Sequence, residues 1–441
     1  MNEEKNQAAA VRAAEERHVM NTFARSDVQF IEGSGMTLRD ADGKEYVDFL
    51  AGIAVCSLGH AHPALTQALQ RQAGRLLHVS NYFYVEHRAE TAAMIDALAD
   101  GRIDEAARIG EAGCAVDASA DGAADAQAEA NVHGRPGWKT FFANSGAEAN
   151  ECAMKLARLH AKRAGRAANA IVCMRGGFHG RTLETVAATM QERLQRDFRP
   201  LPPGFIACTP NDERELEAIF AEQGDSICAV MLEPIQGESG VHPMTQGFMD
   251  AVRRLTAAHG ALMICDEVQT GVFRCGAPFA FQLYGTTPDI FTMAKGIAGG
   301  VPMGACAARA DIADAFRPGD HGTTFGGSPL ACAAARATMG ELARGRFDER
   351  VRATGAYLRE RLAGLPGVID VRGAGLMAGC DLAEGMPDAH DVVAALLDAG
   401  FVTNATGPRT LRLLPPLICE NRHVDALADA LAAILEPHAG A

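Results

Sequence analysis

Between about Lys139 and Ala308 the chain alternates short apolar runs with longer segments of helical periodicity. The runs at 140–143, 170–174, 227–232, 261–265, 290–294 and 303–308 are bounded by turn signals, which predicts buried strands of a parallel sheet. Helical patterns such as 250–259 intervene, so helices are expected on both faces. After about Arg336 a long helical stretch to about Leu362 leads to strand-like text at 368–373 and 410–414. A closing helix follows, with Leu427, Leu431 and Ile434 on one face. The fold class predicted is α/β: a large domain with a mostly parallel sheet plus a smaller α+β domain. Near the N-terminus, short strand-like pieces at 33–48 are broken by the hairpin signal Asp42-Gly43. This divides the chain into a segment 1–75 contributing to the smaller domain, a large domain 76–335 and a C-terminal domain 336–441. Residues 101–137 shift to Ala, Asp and Gly and are expected to be a surface insertion without a catalytic role.

Composition narrows the classes. With 441 residues, 48% of them hydrophobic and 22% charged, the chain has material for a large core. A formal net charge of −14 argues against nucleic acid as a principal partner. It leaves anionic small molecules open, because a few arginines decide that locally. No run of 18 apolar residues is present, and the N-terminus has no apolar signal core, so neither a membrane span nor export is expected. Twelve cysteines are scattered without a CxxC pair, and Cys173, Cys228 and Cys265 fall inside strand runs. A reduced, cytoplasmic enzyme is the simplest fit. His60 and His62 have no carboxylate or cysteine at ligand spacing, so no metal site is expected.

Candidate chemistry gathers at strand ends, where parallel sheets collect functional groups. The run 261–265 ends in Asp266-Glu267-Val268-Gln269, and the run 290–294 ends in Lys295-Gly296. Two such ends present an acid and an amine to one crevice, although alone they also read as an ordinary ion pair. Ser145 with Glu148 forms a capping box opening a helix, and free N–H groups there suit an anion, with Gly146 and Ala147 leaving room for a phosphate. Phe178, among glycines, can lie flat on a planar ring, and Arg181 can clasp a carboxylate. Glu238 is a candidate acid, base or arginine partner. Thr323 and Thr324 offer hydroxyls in a glycine-rich loop. Each feature alone has a bland reading as a helix start, a turn or a solvated loop. Together they are what pyridoxal phosphate requires: a phosphate cradle, a stacking aromatic, a carboxylate for the ring nitrogen and a lysine for the Schiff base. Neither a Walker lysine pattern nor a GxGxxG is present, so nucleotide readings have no support.

With those residues in hand, the chain resembles the class III aminotransferases, which have the fold type I architecture. The matching text is 48–63, FFANSGAEANECAMKLAR at 141–158, FHGRT at 178–182, EPIQGE at 233–238, DEVQTG at 266–271, Ala294-Lys295-Gly296, GTTFGG at 322–327 and LRLLPPL at 411–417. It spans nearly the whole chain apart from the first twenty residues and 101–137. The resemblance implies that Lys295 forms the Schiff base and shuttles the proton, and that Asp266 partners the pyridinium. It implies that Gln269 contacts the phenolic oxygen, that Val268 and Phe178 sandwich the ring, and that Gly146 and Ala147 cradle the phosphate. Thr324 would reach the phosphate of a neighbouring subunit, which implies a homodimer with shared active sites.

Within the family the text is most similar to the branch acting on N2-acetyl-L-ornithine, whose δ-amino group passes to 2-oxoglutarate in arginine biosynthesis. The substrate-binding set is expected to be Arg181, Glu238, Thr323 and Arg412. Arg181 would hold the distal carboxylate and Arg412 the α-carboxylate of glutamate. With an amine-terminated donor Arg412 meets no carboxylate, and Glu238 is expected to neutralise it. Ornithine aminotransferases also resemble this chain but place a tyrosine where it has Ile53, which favours an acylated donor. Succinylornithine, succinyl-diaminopimelate, ornithine and 4-aminobutyrate stand as alternative donors, and an aminomutase or a decarboxylase as alternative reactions. Cys56, Phe273 and Ser328 depart from the family's usual Asn, Gly and Asn.

Overall fold

The computed structural model describes residues 2–112 and 137–439. Three short strands, β1 (Phe30–Ser34), β2 (Thr37–Asp40) and β3 (Glu45–Asp48), form an antiparallel meander near the N-terminus. Asp40 Oδ1 accepts the backbone N–H groups of Asp42 and Lys44 at 2.9 Å each, which fixes the turn that the Asp42-Gly43 pair signals.

The central sheet comprises β4 (Trp138–Ala143), β5 (Ala170–Met174), β6 (Phe205–Cys208) and β7 (Ile227–Leu232). After a small hairpin of β8 (Ile235–Gln236) and β9 (His242–Pro243), it continues with β10 (Leu262–Asp266), β11 (Ile290–Met293) and β12 (Gly304–Arg309). The seven strands lie in the order β4-β12-β11-β10-β7-β5-β6. β12 runs antiparallel to both neighbours, and the remaining pairs are parallel. Every residue of β5, β7, β10 and β11 is buried, as expected for strands covered on both faces. The register pairs Cys265 with Phe291 and Asp266 with Thr292, so β10 and β11 end level and both release their chains at one edge.

The C-terminal part builds a second sheet from β13 (Val368–Ala374), β14 (Met377–Leu382), β16 (Asn404–Ala405) and β17 (Thr410–Leu413), in the order β13-β14-β17-β16. Between them β15 (Phe401–Val402) crosses to pair in parallel with β3, so the two ends of the chain share a sheet. The closing helix Asn421–Leu435 buries Leu427, Leu431 and Leu435.

Three features differ from the sequence expectation. β6 is a strand that the proline-flanked text around it hides. β12 reverses direction because the turn through Gly299 and Gly300, both at positive φ, returns the chain beside β11 without a crossover helix. Residues 103–112 do not belong to a surface insertion. Ile103–Ala112 is a helix whose Ala106 lies in the main core, and Gly110 faces Gly340 of the helix Pro329–Arg344 so closely that an added Cβ would lie 2.7 Å from Gly340 Cα. The small residues that gave the stretch a low-complexity appearance are what let two helices approach. The rest of that stretch, 113–136, lies outside the described residues.

Among the described residues no helix is long and apolar enough to cross a membrane. Among the same described residues, no group of three or more His, Cys, Asp or Glu could hold a metal ion.

Candidate active site

A cavity of about 310 Å³ lies at the carboxyl edge of the central sheet. β10 delivers Asp266, Val268 and Gln269 to it, the turn after β11 delivers Lys295, and the loop after β5 delivers Phe178 and His179. Asn144, Ser145, Gly146 and Ala147 line it from the start of the helix Gly146–Arg163. That helix begins as its sequence suggests: Ser145 Oγ accepts the Glu148 N–H at 3.2 Å. Glu148 reaches back one residue further than a capping box requires, to the N–H of Asn144. The helix N-terminus therefore opens into the cavity with its positive end.

Asp266 is the most constrained group. Only 2% exposed, its Oδ2 accepts from Asn150 Nδ2 at 2.7 Å and His179 Nδ1 at 2.8 Å, while Oδ1 accepts the Val268 N–H at 3.0 Å. Burial opposes charge on His179, but the hydrogen bond and negative charge of Asp266, with help from Glu233, raise its pKa overall. Asn150 is oriented in turn by Thr292, whose hydroxyl donates to its Oδ1 at 2.6 Å.

Lys295 lines the cavity with φ +42, a left-handed conformation that a side chain disfavours and that functional sites often retain. Among the described residues no hydrogen bond reaches its Nζ. Burial lowers its pKa, with Glu238 opposing and Arg412 adding to the shift. A lysine held toward its neutral form is a nucleophile and a base.

Beside Gln269 sits a second charged unit. Arg412, on β17 and 1% exposed, donates from Nη1 to Glu238 Oε1 at 2.6 Å and to Gly237 O at 3.2 Å. Its Nε donates to Asn404 Oδ1 at 2.9 Å. Gln269 Nε2 donates to the same Glu238 oxygen at 3.3 Å. Burial opposes ionisation of Glu238, but the charge and hydrogen bond of Arg412 hold its pKa below the ordinary value.

Of the residues singled out from sequence, Gly146, Ala147, Phe178, Asp266, Val268, Gln269 and Lys295 line the one cavity, and Glu238 and Arg412 adjoin it through Gln269. Thr323 touches it indirectly, its hydroxyl accepting from Asn144 Nδ2 at 3.3 Å. Arg181 is exposed at the rim, its guanidinium 5.5 Å from the Phe178 ring centre. Thr324 is exposed and the structure does not bring it to this cavity. Ile53 is partly exposed in a left-handed turn and is not part of the lining. His179, Asn150, Glu233 and Asn404 escaped the sequence reading. The first and third sit inside the FHGRT and EPIQGE segments, so position beside a named residue was the available signal.

The residues fit pyridoxal phosphate. An added Cβ at Gly146 would lie 2.8 Å from Val268 Cγ1, so only glycine lets the helix start approach Val268 this closely. Phe178, Val268, the buried Asp266 and Lys295 all line the same cavity.

Comparison with known proteins agrees. Residues 21–435 match the family model described as aminotransferase class-III. The chain is 39% identical to the acetylornithine aminotransferase of Caldanaerobacter subterraneus, over 96% of this chain and 98% of that one. It is 42% identical to the acetylornithine aminotransferase of Gloeobacter violaceus, over 97% and 96%. An ornithine aminotransferase structure from Toxoplasma gondii, described with partial occupancy of PLP at its active site, superposes with a TM-score of 0.83 at 28% identity, covering 98% of this chain and 94% of that one.

Proposed function

The chain belongs to the class-III aminotransferases, and from that premise we propose that it moves the δ-amino group of N2-acetyl-L-ornithine to 2-oxoglutarate. The products are N-acetyl-L-glutamate 5-semialdehyde and L-glutamate, a step of arginine biosynthesis. The chain is a pyridoxal-phosphate-dependent aminotransferase with the fold type I architecture. The donor is the proposed part. What carries it is the 2.6 Å pair between Glu238 and the buried Arg412. A donor that enters amine first brings no carboxylate to Arg412, and an unpaired buried cation is costly, so the pair suits an ω-amine. Glutamate or 2-oxoglutarate replaces Glu238 as the partner when it binds.

When bound, pyridoxal phosphate supplies an aldehyde that joins an amine and a protonated ring that withdraws electrons from the carbon bearing it. Lys295 holds the cofactor and moves the proton at that carbon. Asp266, fixed by His179 and Asn150, keeps the ring nitrogen protonated. Phe178 and Val268 would enclose the ring, Gln269 would contact its phenolic oxygen, and Gly146 and Ala147 would offer N–H groups to the phosphate. Arg181 at the rim would take the far carboxylate, and Thr323 would bind substrate from the loop that meets Asn144.

A homodimer completes this reading, with Thr324 serving the partner's phosphate. Supporting it, Leu77, Tyr82, Phe83, Tyr84 and Phe325 are exposed large side chains on two segments that Asn81 ties together, its Nδ2 donating to Thr323 O at 2.9 Å. The smaller domain, from the segment before about residue 75 and the part after about 335, supplies Arg412. The described cysteines are free and mostly buried, which suits the reducing cytoplasm. A panel of amines assayed with 2-oxoglutarate tests the donor: N-acetylornithine should exceed ornithine, succinylornithine, succinyl-diaminopimelate and 4-aminobutyrate in kcat/KM. A different amine in first place replaces the proposed donor.

A further inference from the structure

Glu233 directly follows the strand β7 and is only 5% exposed. Among the described residues it forms no ion pair within 4.0 Å, yet it accepts two backbone N–H groups from different loops: Phe178 N at 2.8 Å on Oε1 and Gly237 N at 3.3 Å on Oε2. Burial pushes its pKa up to about 7, with His179 opposing. A buried carboxylate kept in that state has a local job, and its two partners say what it is.

Gly237 is held through both of its backbone polar groups. Its N–H goes to Glu233, and its carbonyl accepts Arg412 Nη1 at 3.2 Å. The next residue is Glu238, whose carboxylate meets the same Nη1 at 2.6 Å. Gly237 also has no space for a side chain, because an added Cβ would overlap the Gln269 amide. A Glu238 that leaves Arg412 must therefore rotate about bonds next to a glycine whose N–H Glu233 holds.

We propose that Glu233 is a positioning residue that fixes the hinge of the Glu238–Arg412 pair and so sets the balance between ω-amine and dicarboxylate substrates. This rests on the reading of that pair given under the proposed function. With the anchor weakened, Gly237 drifts from Arg412 and Glu238 disengages more readily. Binding of glutamate, which displaces Glu238, is spared, whereas binding of an ω-amine, which needs Arg412 neutralised, is not.

The test is Glu233→Gln in the cofactor-loaded enzyme, since glutamine offers one acceptor oxygen in place of two. Each half-reaction is followed separately by the visible absorbance of the bound cofactor, with N-acetylornithine or with glutamate alone. The ratio of kcat/KM for N-acetylornithine to that for glutamate should fall about tenfold, the effect of one lost hydrogen bond to a charged group. Equal losses in both half-reactions overturn the proposal, because a general structural defect lowers both. If the glutamine variant does not accumulate loaded with cofactor, Glu233→Asp, whose shorter carboxylate cannot span both N–H groups, carries the same measurement. If wild type ignores N-acetylornithine, the donor assignment fails instead, and 4-aminobutyrate takes its place as the ω-amine in the same ratio.

Discussion

His179 Nδ1 lies 2.8 Å from Asp266 Oδ2, with neither side chain exposed by more than 2%. This contact joins the loop after β5 to the end of β10 and leaves Asp266 with three hydrogen-bond donors beside the cavity.

Asp266→Asn keeps the shape of the side chain and removes its charge. Loss of one preorganised electrostatic partner in a dry site costs about 100- to 1000-fold in kcat. Steady-state kinetics on the cofactor-saturated variant should show a fall of that order, with unfolding temperature little changed. A kcat within about threefold of wild type would remove Asp266 from the proposed mechanism.

Glu238→Ala leaves the Arg412 guanidinium buried beside Gln269 without its carboxylate. For N-acetylornithine kcat/KM should fall by roughly tenfold or more, while for glutamate, which brings its own carboxylate, it should hold or improve. Unchanged constants for both substrates would count against the paired-charge account.

Glu267 gives a pH dependence with a definite sign. Burial raises its pKa from 4.5 to about 7, against hydrogen bonds from Thr270, Ala280 and Phe281. A folded-state pKa above the unfolded one contributes stability fully present below the unfolded value and lost as pH rises through the folded value. The stability advantage of wild type over Glu267→Gln should therefore shrink between pH 4.5 and about 7. Denaturant midpoints at several pH values measure this; an advantage that stays flat or grows contradicts it.

Ile53 has φ +66 in a run where Ala51, Gly52 and Ala54 are also left-handed. A β-branched residue is poorly suited to that region, at about 1–2 kcal/mol per residue. Ile53 is 37% exposed, so little burial is lost on replacement. Ile53→Asn, which tolerates the left-handed region, should raise stability by about 1 kcal/mol in urea unfolding. A decrease would mean that the isoleucine is held by packing.

Much of this site was legible because its residues cluster at strand ends. Asp266 and Lys295 each follow an apolar run directly, and the level register of β10 and β11 brings them to one edge. Less legible were contacts between loops distant in sequence. Glu233 meets Phe178, and Asn150 meets Asp266, through placement across the sheet that no local periodicity encodes. The helix Ile103–Ala112 was hidden for another reason: packing against Gly340 selects small residues, and small residues in quantity imitate a linker. Phe273, at φ +68 and fully buried, is a departure from the family pattern that the chain accommodates in its core.

The most direct test of the central claim is the visible spectrum of the purified, cofactor-loaded protein. Adding N-acetylornithine alone should bleach the band of the bound cofactor, and adding 2-oxoglutarate afterwards should restore it, with neither change in Lys295→Ala. A band that no ω-amine alters would contradict the account.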